Sequence, residues 1–268
     1  MVIKELGFNH SAADHSVFMR CMAEEHTIIA VATDDMAVTS KRSGDAEMFK
    51  KNIKIFWDIT DNGLIGWFLG FQIKRDRRNK TLSINQHAYL KSLAEKFRLT
   101  HAKPMKTPIE PGTQYSKEQS LSTPNQVTKM NGVPYNEAIG SILWPAIISR
   151  PDIMYAVGIL SQFMQNPGPV HWEGVKQIIS YLNTTKNYSL TFGGTSKRLI
   201  EGFCDADWAS QKDHHSISGY AFYLGSGAIT WSLKRQHVIT LSSTESKYIV
   251  QTHTAKEALW IRSFIVEI

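Results

Sequence analysis

The sequence predicts an α+β chain. Three observations lead there: β-rich runs paired about tight turns in the first third, amphipathic helical patterns in the middle, and a β-β-β-α order at the end. A Pro/Ser/Thr-rich stretch and, later, a Gly-Gly pair break the pattern. The expected segments are therefore 1–102, 103–134, 135–193 and 194–268. The 268 residues provide length for two domains of the usual ~100–200 residues.

Residues Ile28–Val38 hold a short apolar run, Asp34-Asp35, and a second apolar run, which predicts a hairpin with both aspartates at its tip. Ser43–Trp57 reads as an amphipathic helix, with Met48, Ile53 and Phe56 spaced among charged residues. Asp45 and Glu47 suit the positive end of its dipole. Asp61-Asn62-Gly63 predicts a tight turn between Trp57-Asp58-Ile59 and a strand over Trp67–Ile73. A second hairpin is expected to turn at Arg75–Lys80 and return through Thr81–Ile84. Asn85 then reads as the N-cap of a helix with Tyr89, Leu90, Leu93 and Phe97 on one face.

The stretch 103–134 reads as an exposed linker or loop, with Pro104, Pro108, Pro111 and Pro124 in it. Helices are expected over Tyr135–Ser149, from Pro151 through Phe163, and over His171–Thr184; Asn166-Pro167-Gly168-Pro169 separates the last two. Gly193-Gly194 reads as a boundary. Beyond it, Leu199–Cys204, Ser218–Leu224 and Ala228–Ser232 predict strands. A last helix starts near Ser243, with Ser243 or Thr244 as its cap.

Composition narrows the function classes. Hydrophobic residues make up 42% of the chain, enough for packed cores and too many for wholesale disorder. No run approaches the roughly 18 apolar residues of a membrane helix, and the start of the chain has no apolar signal core. An intracellular, non-membrane protein is expected. Cys21 and Cys204 stand far apart without a CxxC, which excludes a zinc ribbon and speaks against a disulfide framework. A net charge of +6 suits a polyanionic partner but is shared by many proteins without one. His214 and His215 beside Asp213 read as a surface cluster. The tryptophans, Trp67 among them, read as core or base-stacking residues.

Two groups of residues carry chemistry. Adjacent carboxylates at a hairpin tip repel one another, and a divalent cation removes that cost. Two such ions about 3.5–4 Å apart can activate a hydroxyl and stabilise a leaving pyrophosphate. An ordinary Asp-Asp turn is the competing reading of Asp34-Asp35. In the tail, Phe203-Cys204-Asp205-Ala206-Asp207-Trp208 places Asp205 at the end of a strand. Ser242-Ser243-Thr244-Glu245-Ser246-Lys247-Tyr248 opens the last helix.

These stretches resemble copia-type retrotransposon Pol polyproteins. The resemblance rests on Ala32-Thr33-Asp34-Asp35, Trp67–Ile73, Gln86-His87-Ala88-Tyr89-Leu90, Pro134-Tyr135 through Gly140-Ser141, Ser149-Arg150-Pro151-Asp152, His171-Trp172 and the tail motifs. It implies a partial reverse-transcriptase palm and the start of the thumb over 1–102. It also implies a helical thumb or connection over 135–193 and a truncated RNase H-like sheet and helix over 194–268. The implied activity is copying of RNA into DNA with Mg²⁺ or Mn²⁺ and degradation of the RNA strand of RNA–DNA hybrids. The implied partners are an RNA template, a DNA primer, RNA–DNA hybrid and the rest of the polyprotein. Asp34, Asp35 and Asp205 are the implied metal ligands. Trp67–Ile73 would be the hairpin that grips the primer end, with Trp67, Arg75, Arg77, Arg78 and Lys80 as implied nucleic-acid contacts.

The sequence departs from the family pattern at several positions. Ala32 replaces the aromatic residue of the polymerase motif. The third palm aspartate and the later RNase H aspartates are not expected within this chain. The helix glutamate that binds metal aligns with Lys247, and Glu245 lies about 200° away around the helix. A non-catalytic remnant that at most binds nucleic acid is therefore the alternative.

Overall fold

Short apolar runs build the first sheet. In the computed structural model, which describes residues 2–22, 25–193, 200–210 and 213–268, the chain divides into two units. One comprises Met1–Leu69 with His253–Ile268, the other Gly70–Thr252. The mixture of helices and strands is the one expected.

In the first unit, a short helix α1 (Val2–Glu5) leads to strands β1 (Asn9–His10), β2 (Val17–Met22), β3 (Glu25–Ala32) and β4 (Asp35–Ser40). They form an antiparallel sheet in chain order. Ile29 and Val31 on β3 lie opposite Val38 and Met36 on β4, so all four share a face. That face joins Ile3, Phe8 and Phe18 with Phe49 and Ile53 of α2 (Ser43–Ile53) in one core. The helix is shorter than the expected Ser43–Trp57. Ile53 is its last buried residue, and Ile55, Phe56 and Trp57 remain exposed.

Asp61-Asn62-Gly63 does turn. Gly63 has φ +73°, and its N–H donates to the Asp61 carboxylate at 2.9 Å. Trp57-Asp58-Ile59 is not a strand, however, so the turn closes no hairpin. The expected strand Trp67–Ile73 is interrupted. Leu69 (φ 48°) and Gly70 (φ 81°) are both left-handed, which separates β5 (Trp67–Phe68) from β6 (Phe71–Asp76).

The second unit is built on a helical core. Strands β6 and β7 (Thr81–Asn85) form the expected basic hairpin. Helix α3 (His87–Lys96) starts two residues after Asn85, whose side-chain oxygen accepts the His87 N–H at 2.6 Å. The 103–134 stretch is more ordered than a plain linker: it carries a 3-10 turn at Lys117–Gln119 and α4 (Pro124–Met130). The short helix α4 has its own start signal. The Thr123 hydroxyl accepts the Gln126 N–H, the Gln126 side chain accepts the Thr123 N–H, and Pro124 occupies the first turn.

Helices α5 (Tyr135–Ile148), α6 (Met154–Ser161) and α7 (Pro169–Thr184) lie where expected, except that Pro151–Ile153 forms a 3-10 turn before α6 and α6 ends before Phe163. Leu90, Ile139, Ile142, Leu160, Ile178 and Leu182 are fully buried among these helices.

Strand β8 (Leu190–Gly193) was not legible in the sequence. It adds to β7 with Ile84 opposite Leu190. Gly193 belongs to this ladder. It has φ +95°, and a Cβ there would lie 2.2 Å from the Lys80 carbonyl oxygen, so only glycine fits. Gly194 and Leu199 lie outside the described residues.

Strands β9 (Ile200–Asp207), β10 (Ile217–Leu224) and β11 (Gly227–Arg235) make an antiparallel sheet in the order β11-β10-β9. Helix α8 (Ser243–Glu267) follows, and its first ten residues belong to this unit. Its cap is Ser242, one residue earlier than expected, with the hydroxyl accepting the Glu245 N–H at 3.1 Å.

Candidate functional site

The first candidate group sits where β3 turns into β4. Ala32 pairs with Asp35, so only Thr33 and Asp34 form the turn. Thr33 takes φ 51°, an uncommon conformation for a β-branched residue. Asp34 is on the turn itself. Asp35 begins β4, on the face opposite Met36 and Val38. Both aspartates are exposed, and neither carboxylate has a hydrogen-bond or ion-pair partner among the described residues. Asp14 does not join them. Its carboxylate accepts the Ser16 N–H at 2.9 Å within its own turn.

The second group lies in the other unit. Asp205 is on β9 opposite Gly219, with its side chain 83% exposed. Among the described residues its ion-pair partner is Lys247 of α8, whose Nζ stands 3.9 Å from Asp205 Oδ1. Glu245 faces elsewhere. Its carboxylate accepts the Leu241 N–H at 2.8 Å and so closes the start of α8. The helix geometry thus places Lys247 beside Asp205 and keeps Glu245 at the cap.

The cations Arg75, Arg77, Arg78 and Lys80 cluster at the exposed tip of the β6–β7 hairpin. Asp76 organises that tip. Its carboxylate accepts the Asn79 backbone N–H at 3.0 Å and side-chain amide at 2.7 Å, and these bonds lower its pKa below the ordinary value. Four cations and one anion on a protruding turn can meet a polyanion. Trp67, 58% exposed, belongs to the other unit.

Two constellations were visible in the sequence only as matching strings. The first is Arg150-Pro151-Asp152. Arg150 is 2% exposed, and its guanidinium donates to both Asp152 oxygens at 3.0 and 2.7 Å. It also donates to the Thr185 carbonyl at 3.2 Å and hydroxyl at 2.6 Å. The Tyr181 hydroxyl donates to Asp152 at 2.6 Å. Burial alone would raise the Asp152 pKa. The bonds from Arg150 and Tyr181 outweigh it and hold the carboxyl below its ordinary value.

The second is His171, fully buried and stacked on Phe163 with centroids 3.9 Å apart and planes 8° apart. Its Nδ1 accepts the Gly168 N–H at 2.8 Å, which assigns the proton to Nε2 for donation to the Ser116 carbonyl at 3.2 Å. Burial lowers its pKa. His171 therefore ties the 103–134 stretch to α7.

Reverse transcriptases use divalent metal ions, and neither carboxylate group fits such an ion well. Among the described residues no three His, Cys, Asp or Glu side chains are placed to share one. The Asp34-Asp35 hairpin offers two carboxylates, and the tail offers Asp205 with an ammonium beside it.

The model of the family described as reverse transcriptase (RNA-dependent DNA polymerase) matches residues 1–111. The chain is 36% identical to a retrovirus-related Pol polyprotein from transposon TNT 1-94 of Nicotiana tabacum, over 96% of this chain and 19% of that protein. It is 32% identical to the Pol polyprotein from transposon RE1 of Arabidopsis thaliana, over 98% of this chain and 17% of that protein. A third relative, secreted RxLR effector protein 161 of Plasmopara viticola, is 40% identical over 49% of this chain and 94% of its own length. The chain thus spans about a fifth of the two polyproteins. No solved structure matches it. With the polymerase-family match at one end and polyprotein similarity along nearly all of its length, the chain belongs to the copia-type retrotransposon Pol family.

Proposed function

We propose that residues 1–102 derive from the polymerase palm and the start of the thumb, 135–193 from the thumb or connection, and 194–268 from the RNase H domain. On this reading 103–134 connects the polymerase-derived parts. Asp34 and Asp35 descend from the polymerase metal site and Asp205 from the nuclease site. RNA-templated DNA synthesis and removal of the RNA strand are activities of the polyprotein. This chain binds nucleic acid and does not cut it.

One observation carries the second half of the reading: Lys247 is 3.9 Å from Asp205. An ammonium held there competes with a divalent cation for the same carboxylate. Like charges at that range oppose each other, so the site favours the monovalent side chain already tethered to it. The basic hairpin tip at Arg75, Arg77, Arg78 and Lys80 supplies a surface for phosphates.

The test is a gel-shift and cleavage experiment with an RNA–DNA hybrid and Mg²⁺. A shift without cleavage is expected, with affinity falling at least ~10-fold as salt rises from about 50 to 200 mM. No nucleotide incorporation is expected on a primed RNA template. Cleavage that disappears in Asp205→Asn, or incorporation that disappears in Asp34→Asn, would overturn the reading.

A further inference from the structure

The face of the β9–β10–β11 sheet that carries Asp205 contains a cavity of about 350 Å³. Its shape follows from the register. Phe203, Ala221 and Trp231 lie in one cross-strand row, and Asp205, Gly219 and Leu233 in another. Because alternate strand positions point the same way, all six belong to one face. The central strand contributes the two smallest members, Gly219 and Ala221, so the middle of the face is low. Phe203, Trp231 and Leu233 stand around it, and Pro151 and Met154 line it from the helical part of the same unit.

We propose that this hollow binds a small apolar organic cation, an arylalkylamine in chemical class, with its ring over Gly219 and Ala221 and its ammonium at Asp205. The size lies within the roughly 300–1,000 Å³ of small-molecule sites. The lining is almost wholly apolar, and Asp205 is the only charged residue in it among the described residues. Burial of a ring against Phe203, Trp231 and Leu233 removes apolar surface from water. Phe203 is 60% exposed, so its surface is available for this. Trp231 is held in place by its indole N–H, which donates to the Ala146 carbonyl at 2.8 Å. A wall fixed in advance loses little freedom on binding.

Charge decides the class of ligand. A carboxylate at the rim and aromatic faces beside it both attract an ammonium. A nucleobase suits the hollow less well, because its polar edges would lose water and find few partners in so apolar a lining. Lys247 is the resident competitor for Asp205, so a bound amine exchanges with it. The inference stands apart from the nucleic-acid reading: it concerns the sheet face and survives if hybrid binding fails.

The experiment is ¹⁹F NMR titration of the whole chain with 4-(trifluoromethyl)benzylamine, using the corresponding benzyl alcohol as neutral comparator. Saturable binding of the amine is expected, tighter than that of the alcohol. Gly219→Leu, which fills the hollow, weakens the amine by at least ~10-fold. Ala221→Leu gives a second filling variant, and circular dichroism shows which of the two folds as the parent does. Asp205→Asn weakens the amine by about threefold and leaves the alcohol unchanged. Lys247→Met strengthens the amine. The proposal is overturned by absence of saturable binding, by equal affinity for amine and alcohol, or by undiminished amine binding in a folded filling variant.

Discussion

Lys247 Nζ lies 3.9 Å from Asp205 Oδ1, with both side chains largely in solvent. An ion pair this exposed contributes roughly 0–1 kcal/mol to stability. Its importance is chemical: the carboxylate that a nuclease would use to hold a metal has an ammonium for a neighbour. Lys247→Glu converts the pair into two carboxylates. We predict that this variant gains weak Mn²⁺ affinity in calorimetry while its melting temperature changes by less than about 3 °C. A substitution that melts the chain without metal affinity would show that Lys247 acts structurally.

The Arg150 network predicts a stability effect. Arg150 is almost wholly buried, its guanidinium is satisfied by Asp152 and Thr185, and Tyr181 donates to Asp152 in turn. Arg150→Met leaves Asp152 facing Tyr181 without its cation. Chemical denaturation should register a loss of about 3 kcal/mol, toward the lower end for buried pairs because Asp152 is partly exposed. A loss under about 1 kcal/mol would contradict the role assigned to the network.

His171 predicts a pH dependence. Its pKa in the folded chain lies below the ordinary 6.5. The unfolded chain therefore binds more protons below that pH, and stability falls as pH drops through about 6.5 toward the folded-state value. The physical event is protonation of Nδ1, which ends its acceptance of the Gly168 N–H. Asp152 acts in a different window, since its stabilisation is lost only as pH falls below the ordinary carboxylate value of 3.8. Melting temperature measured from about pH 7.5 to 5.5 should decline in the parent and flatten in His171→Phe, which is less stable at neutral pH by roughly 2 kcal/mol. Equal slopes in the two proteins would refute the assignment.

The basic hairpin tip predicts a salt effect. Arg77→Ala with Arg78→Ala should weaken hybrid binding similarly for different sequences. The log–log salt slope should flatten by about one unit for each phosphate that the variant no longer neutralises. An unchanged slope would place the phosphate-binding cations elsewhere on the chain.

Which of these features could be read from the residues depends on how local they are. The Ile28–Val38 hairpin was legible because two short apolar runs adjoin the turn residues between them. Helix α7 was legible because its apolar spacing is strong, and α5 because it is a long, mostly apolar run opened by a proline. Strand β8 was not, because its pairing is remote: the Ser83 and Thr191 hydroxyls meet at 2.9 Å across 108 positions of sequence. The 103–134 stretch looked like a loop because its prolines hid the Thr123–Gln126 box and because the anchor at Ser116 comes from His171. Asp205 and Lys247 were each visible, as was the helical offset that removes Glu245. Their separation across strand and helix, and the cavity on the same sheet face, required three dimensions.

The central claim is that Asp205 is paired with Lys247 and does not hold a divalent ion. The direct measurement is Mn²⁺-induced broadening of backbone amide signals over residues 204–206. The pairing predicts no site-specific broadening in the parent at sub-millimolar Mn²⁺ and its appearance in Lys247→Glu. Selective broadening at Asp205 in the parent, abolished by Asp205→Asn, would contradict it.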